Sequence, residues 1–150
     1  MLFPGGSGPL SSHPYKRIVM QTTIIPIFRV FDYAKTVEFY IDWLGFTINW
    51  EYRPAGLPFY MQVSLRGAAI ELSEHHGECS PGAKISFQNF EGLAAWHQTL
   101  NEKGYSYMRP GLERVEWKPD TLEMTVIDPF SNRIIFNEDL SGPQKNKTNT

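Results

Sequence analysis

The stretch VFDYAKTVEFYIDWLGF, residues 30–46, is the strongest indication of how this protein folds. It continues a run of strand composition, TTIIPIFRV, that begins at residue 22. Asp32 can cap a helix after this strand, because its carboxylate can accept hydrogen bonds from the free N–H groups of the first turn. Apolar residues then recur at helical spacing and form one stripe, made of Val37, Tyr40, Ile41 and Leu44. Gly45 comes where a helix would end, so the stretch predicts a strand followed by a helix over residues 33–45.

The same order of elements occurs twice along the chain. After the first helix come three strand candidates, FTINWEY, FYMQVSL and AAIELS. The run AKISFQ then predicts a strand, and EGLAAWHQTLNEKG predicts a helix that ends at Gly104. The remaining strand candidates are YSYMRP, ERVEW, TLEMTVID and NRIIFNE. The chain therefore repeats the order βαβββ, in a fold of the α+β class.

Composition limits the classes of function that this chain can have. Of its 150 residues, 41% are hydrophobic and 20% are charged, and the net charge is −2. The sequence has no basic patch of nucleic-acid type and no apolar run near the ~20 residues that span a membrane. The single cysteine, Cys79, cannot form an internal disulfide, which fits a reducing cytoplasm. We therefore expect a cytoplasmic protein that binds neither nucleic acid nor membrane.

The two ends of the chain differ in composition from its middle. Residues 1–21 are rich in Gly, Pro and Ser, and they predict a flexible arm without the pattern of a signal peptide. The polar segment 140–150 predicts a disordered tail. Between them we expect a single domain, residues 22–139, with modules at residues 22–80 and 81–139.

Two motifs resemble those of a known family. The stretch VFDYAKTVEFYIDWLGF resembles the first-module signature of the glyoxalase/bleomycin resistance protein/dioxygenase superfamily, also called vicinal oxygen chelate proteins. The stretch VIDPFSNRIIFNE, residues 126–138, resembles the closing signature, in which Asp-Pro-x-Gly-Asn precedes an apolar strand. Ser131 stands where the family usually has glycine, and we expect Asn132 to take a left-handed conformation if the turn requires one. The resemblance covers roughly residues 22–139.

The resemblance implies an architecture and an assembly. Two βαβββ modules would form a curved mixed sheet around a cavity, with the helices on the outside. Many members are dimers with the cavity between modules of two chains, so we expect a homodimer. Pro26 resembles the hinge of a swapped N-terminal arm in the bleomycin-resistance branch, although an ordinary edge-strand proline explains it equally well.

The resemblance also indicates where a metal would be held. Metal-using members take ligands from four strand positions that face the cavity, which here are Ile25, Glu71, Lys84 and Ile135. Only Glu71 can bind a divalent cation, and the charge of Lys84 opposes one directly. We therefore expect no metal, no other cofactor and no catalytic residue, with Glu71 and Lys84 as a candidate salt bridge.

The segment after Glu71 carries further reactive groups. His75 and His76 are adjacent, and adjacent side chains of an extended chain point to opposite sides, so both could not chelate one ion there. We interpret the segment as a polar loop; the alternatives are a ligand-contacting lip and a metal site that joins one histidine to Glu71. No base can be placed beside Cys79, so the sequence does not predict a nucleophile.

Strand alternation places polar side chains on the face toward the predicted cavity, and apolar side chains on the opposite face, which helices would cover. Aromatic side chains near the Pro- and Gly-rich loops could stack on a flat or cationic ligand, although core or dimer packing would explain them as well. The candidate ligand contacts are Arg29, Trp50, Phe59, Tyr60, Glu71, Ser73, Lys84, Ser86, Gln88, Trp117, Arg133 and Asn137.

These observations favour a metal-free small-molecule binding protein that resembles bleomycin resistance proteins. It would sequester a glycopeptide antibiotic or a similar amphipathic ligand in a dimer cleft without acting on it. Arg29, Lys84 and Arg133 make the predicted cavity less acidic than a cationic drug would favour. The alternatives are a divalent-metal-dependent glyoxalase-like lyase, an isomerase or a dioxygenase, and a small-molecule sensor without catalytic activity.

Overall fold

This computed structural model describes residues 20–142, in which eight strands and two helical segments follow one another. Residues 1–19 of the predicted arm and residues 143–150 of the predicted tail lie outside the described residues. Within residues 20–142, no helix is long and apolar enough to cross a membrane. The elements are β1 (Ile27–Arg29), α1 (Tyr33–Thr36) continued by a π-helix (Val37–Trp43), β2 (Thr47–Tyr52), β3 (Tyr60–Leu65), β4 (Ala68–Ser73), β5 (Lys84–Phe87), α2 (Leu93–Lys103), β6 (Glu113–Val115), β7 (Lys118–Ile127) and β8 (Arg133–Asp139).

The first helix forms where the sequence predicts it, but it changes type along its length. Asp32 Oδ1 accepts a 2.8 Å hydrogen bond from the Lys35 backbone N–H, so the predicted cap is confirmed. From Val37 onward the backbone widens into a π-helix, and the Leu44 N–H donates to the Phe39 carbonyl at 3.0 Å. The three aromatic side chains of this wider segment are buried: Phe39, Tyr40 and Trp43.

The strands form two four-stranded mixed sheets of the same topology. Sheet A has the order β1-β4-β3-β2, and sheet B has the order β5-β8-β7-β6. In each sheet the first and last strands of the module pair in parallel, and all other pairs are antiparallel. The predicted α+β fold with two βαβββ modules is thus confirmed.

One hydrophobic core joins the two modules. The strand faces that the sequence assigns to the core are buried, with Phe28 on β1, Leu72 on β4 and Phe136 on β8 fully inaccessible to solvent. Burial of a side chain of this size stabilises the fold by roughly 1.5–3 kcal/mol. Phe46 and Phe87 bring the modules together, with ring centroids 6.0 Å apart.

Two predicted strands differ from the observed ones. β1 begins only at Ile27, because pairing with β4 starts there and the preceding Pro26 has no N–H to donate. The predicted strand YSYMRP, residues 105–110, is a turn and an irregular segment instead. Its first residue, Tyr105, stacks on Trp43 at a centroid distance of 4.7 Å, and this packing takes the segment away from the sheet.

The closing turn corrects a third expectation. Asp128 Oδ1 accepts from the backbone N–H groups of Phe130 at 2.9 Å and Asn132 at 2.8 Å. The residue with left-handed backbone is Ser131, with φ of 75°, and not Asn132. Asn132 is buried, and its side-chain amide makes hydrogen bonds on both sides. Its Oδ1 accepts from the Gly82 N–H at 3.2 Å, and its Nδ2 donates to the Arg29 carbonyl at 2.8 Å.

Candidate ligand-binding site

Strand register brings polar and aromatic side chains from β1–β4 onto one side of sheet A. One row across the sheet runs Ile27–Glu71–Gln62–Trp50, and the next runs Arg29–Ser73–Tyr60–Tyr52. These eight side chains point away from the core, because residues two apart on a strand share a face. We call them the sheet A face.

Hydrogen bonds hold the middle of the sheet A face in place. The Tyr60 hydroxyl donates to Glu71 Oε2 at 2.5 Å, and Gln62 Nε2 donates to Glu71 Oε1 at 3.1 Å. The network continues outward, since Asn49 Nδ2 donates to Gln62 Oε1 at 3.0 Å. Trp50 stacks on Tyr60 with centroids 5.5 Å apart and ring planes within 9°. Trp50 remains 42% exposed, so a flat ligand could stack on this fixed pair.

The charges around Tyr60 are mainly negative. Burial raises the pKa of the Tyr60 phenol, and the hydrogen bond and charge of Glu71 and the charge of Glu78 raise it further. Tyr60 therefore stays a neutral hydrogen-bond donor at physiological pH. A ligand that carries positive charge would be favoured beside these two carboxylates.

Arg29 lies at the edge of this acidic patch and is only 7% exposed. Its Nη1 donates to the carbonyls of Val30 and Ser73, each at 3.3 Å, and its guanidinium lies 4.7 Å from the centroid of the Phe31 ring. Within residues 20–142 the only ion pair joins Lys118 to Asp139, so Arg29 has no carboxylate partner there. Its remaining donors could meet an anionic group of a ligand.

The loop after β4 is organised by its own hydrogen bonds. The Ser73 hydroxyl donates to the Glu78 carboxylate, and the His75 N–H donates to Ser73 Oγ at 3.1 Å. The His75 ring lies 6.0 Å from the Tyr60 ring, whereas His76 is exposed. Burial raises the pKa of the Cys79 thiol, although the Arg29 charge opposes this rise. These contacts support the interpretation of a polar loop.

Sheet B presents a second polar surface. Lys84 pairs with Arg133, and Arg133 pairs with Ile127 on β7, so two cations lie side by side on this sheet. The next rows carry Ser86, Ile135 and Thr125, and then Asn137 and Glu123, with Gln88 donating to the Ser86 hydroxyl. We call these side chains the sheet B face.

The twelve predicted ligand contacts fall into three groups: those on the sheet A face, those on the sheet B face, and two residues, Phe59 and Trp117, that lie on neither face. Five of them lie on the sheet A face, Arg29, Trp50, Tyr60, Glu71 and Ser73, and five on the sheet B face, Lys84, Ser86, Gln88, Arg133 and Asn137.

Two predictions are corrected by the positions of their residues. Phe59 is 1% exposed in the core, with its ring 5.1 Å from Tyr33. Trp117 is 84% exposed at the turn between β6 and β7, away from both faces. The predicted Glu71–Lys84 salt bridge does not form within one chain, because Glu71 lies on sheet A, where Tyr60 and Gln62 bind it, and Lys84 lies on sheet B.

Sequence reasoning missed several polar groups on these surfaces. They are Asn49, Gln62 and Ser64 around sheet A and Glu123 and Thr125 on sheet B. Alternation along β3 would have found Gln62 and Ser64, because Met61 and Val63 between them are fully buried.

Comparison with known proteins identifies the family. The family described as "Glyoxalase superfamily protein" matches residues 11–143. The chain belongs to the glyoxalase superfamily. No curated protein sequence matches this glyoxalase superfamily protein.

Solved structures share the fold of this glyoxalase superfamily protein. A bleomycin-binding protein in complex with bleomycin is 20% identical, with a TM-score of 0.58 over 79% of this chain and 98% of the other. A bleomycin resistance determinant encoded on transposon Tn5 is 20% identical, with a TM-score of 0.60 over 79% and 98%. A glyoxalase family protein from Enterococcus faecalis is 18% identical, with a TM-score of 0.59 over 79% and 98%.

The residues of this glyoxalase superfamily protein do not fit the metal that some members use. Ile25 and Ile135 have no donor atoms, Lys84 carries a positive charge, and only Glu71 offers oxygen. In the part of the chain that the structure describes, no group of three or more His, Cys, Asp or Glu side chains could hold an ion. Both oxygens of Glu71 already accept hydrogen bonds from Tyr60 and Gln62.

Proposed function

We propose that this glyoxalase superfamily protein binds a small amphipathic molecule and performs no chemistry on it. The observation that carries the proposal is the sheet A face, where Glu71, Tyr60 and Gln62 bind one another and leave Trp50 half exposed above them. A stacked aromatic pair beside fixed carboxylates suits a flat cationic group. The ligand to test first is a glycopeptide antibiotic of the bleomycin type, and the function would then be sequestration of the drug.

We also propose that two chains enclose the ligand between them. The sheet A face carries Glu71 beside Arg29, with Glu78 of the following loop near Tyr60, and the sheet B face carries Lys84 and Arg133 beside Glu123. The carboxylates of one face could therefore meet the cations of the other. Each face also exposes large apolar side chains, among them Tyr52 and Ile27 on sheet A and Ile127 on sheet B. A homodimer in which the sheet A face of one chain meets the sheet B face of its partner would cover both.

In the proposed dimer, the segment before β1 would be an arm that is exchanged between the two chains. Ile24 is 91% exposed, although isoleucine is usually buried, and β-pairing begins only after Pro26. An arm that crosses to a partner chain at Pro26 would bury Ile24.

Calorimetric titration of bleomycin A2 into the chelator-treated protein tests the proposed function. We expect saturable binding near one drug per chain. Trp50→Ala should weaken binding by about tenfold, because it removes the stacking surface. Trp117→Ala is the matched control and should change nothing, since Trp117 lies away from both faces.

A flat titration would rule out bleomycin as a ligand. Binding that appears only after a divalent metal is restored would contradict a metal-free site. Equal loss in the Trp50 and Trp117 variants would show that the sheet A face is not where the drug binds.

A further inference from the structure

A pocket of about 560 Å³ lies outside the sheet A face, and five of its lining residues belong to the two family motifs. It is formed where the first helix, the irregular segment after α2 and the end of β7 meet. Its size is in the range of small-molecule sites. Only Ile127 belongs also to the sheet B face. The lining residues are Lys35, Glu38, Tyr105, Tyr107, Met108, Ile127, Asp128 and Pro129.

The apolar wall of this pocket is held by the core behind it. Tyr105 stacks on Trp43 with ring planes 19° apart and meets the edge of Phe39 at 5.7 Å. Tyr107 packs edge-on against Tyr105 at 5.6 Å, yet it is 81% exposed. Met108 is positioned by its sulfur, which accepts from the Ile127 N–H at 3.2 Å. The core therefore holds this wall in place without a ligand. Its outer aromatic surface is not covered by any of the described residues.

Two carboxylates and one lysine line the same pocket: Glu38, Asp128 and Lys35. Burial raises the pKa of the Tyr105 phenol, and the charges of Glu38 and Asp128 raise it further. The oxygens of Asp128 are already engaged by Tyr40, Asn132 and Phe130. Glu38 is exposed and has no ion-pair partner among residues 20–142. Glu38 is thus the group available to a ligand, and Asp128 adds a fixed negative field.

We propose that this pocket is a second ligand site, specific for a small arylalkylamine. The ring of the amine would pack against Tyr105, Tyr107 and Met108, and its ammonium group would meet the Glu38 carboxylate. Lys35 at the rim directs the ammonium group away from itself and toward Glu38. This inference is independent of ligand binding on the sheet A face.

Two probes of similar shape and opposite charge test the assignment. Phenethylamine and 3-phenylpropionate are titrated separately into the full-length protein, with amide chemical shifts recorded by NMR. We expect phenethylamine to bind saturably, to shift signals at Tyr105–Met108 and at Ile127, and to bind at least about fivefold tighter than the anion. Equal binding of both probes, no saturation, or shifts confined to Trp50 and Tyr60 would each overturn the proposal.

Variants at exposed positions locate the site. Glu38→Gln should weaken phenethylamine binding about fivefold, and Tyr107→Ala should weaken it by about tenfold. Glu116→Gln is the matched control, because Glu116 is exposed at the β6–β7 turn, and it should leave binding unchanged. Trp50→Ala should leave the phenethylamine-induced shifts at Tyr105–Met108 and Ile127 unchanged, which separates this site from that of the proposed function. If Glu38→Gln and Glu116→Gln have the same effect, the assignment of Glu38 is wrong.

Discussion

The Tyr40 hydroxyl donates a 2.7 Å hydrogen bond to Asp128 Oδ2, across 88 residues of sequence. Both groups are buried, and they belong to the two motifs that carry the family resemblance. Burial raises the pKa of Asp128, while hydrogen bonds from Asn132 and Tyr40 oppose that rise. The bond therefore ties the first helix of one module to the closing turn of the other.

Loss of this bond should destabilise the protein without changing its shape. Tyr40→Phe leaves the Asp128 carboxylate buried with one donor fewer, so we expect the free energy of unfolding to fall by about 1–3 kcal/mol. Urea denaturation measures the change. Tyr52→Phe serves as control, because Tyr52 is exposed and should change stability by less than about 0.5 kcal/mol. Equal stability of the two variants would show that the inter-module bond contributes nothing.

Ser131→Gly should stabilise the protein. The φ of 75° at Ser131 crowds its Cβ, and glycine removes this strain but costs more backbone entropy on folding. We expect a net gain of about 0.5–1 kcal/mol in the free energy of unfolding. The control is Ser106→Gly, also at an exposed turn but without positive φ, which should bring no gain. A loss of stability in Ser131→Gly would mean that the hydroxyl has a role in the turn.

Tyr60 should make stability depend on alkaline pH. Its pKa in the folded protein is above the ordinary value of 10.0, so the folded state holds this proton more tightly than the unfolded state. The corresponding stabilisation is complete below pH 10 and is lost as the pH rises through the folded pKa. Wild type should therefore lose stability above pH 10 more steeply than Tyr60→Phe, as measured by urea denaturation.

Tyrosinate absorbance gives an independent check on Tyr60. Near pH 10, folded wild type and folded Tyr60→Phe should show the same signal, because Tyr60 stays protonated. In urea, the signal of the wild type should exceed that of the variant by about half a tyrosinate, because an unfolded tyrosine is half ionised at its ordinary pKa of 10.0. The same difference between the two folded proteins at that pH would contradict the assignment.

Charge reversal on the sheet B face should weaken the proposed dimer. Lys84→Glu with Arg133→Glu would place negative charge opposite the Glu71 region of the partner chain, and we expect the dimer dissociation constant to rise at least about tenfold. Sedimentation equilibrium measures it. Arg109→Glu is the control, since Arg109 is exposed outside both faces. A dimer unaffected by the double reversal would exclude this pairing of faces, and a monomeric wild type would exclude the dimer.

Local sequence signals predicted most of the fold because they report interactions between near neighbours. The cap at Asp32, the glycine after the first helix and the alternation on β4 all act within a few residues. The same reasoning failed at YSYMRP, where alternating residues imitate a strand. There the stacking of Tyr105 on Trp43 outweighs the local preference for a strand, and this contact joins residues far apart in the chain.

By itself, the sequence determined the α+β class, the repeat of βαβββ and the polar side of each strand, since these follow from periodicity and from turn-forming residues. Which polar groups meet depends on contacts between residues far apart in the chain. Glu71 binds Tyr60 and Gln62 instead of Lys84, because strand register selects partners across the sheet and periodicity does not encode register. Phe59 is buried like Met61 and Val63, with which it alternates, whereas Trp117 lies in an exposed turn that is not covered by other residues of the described chain.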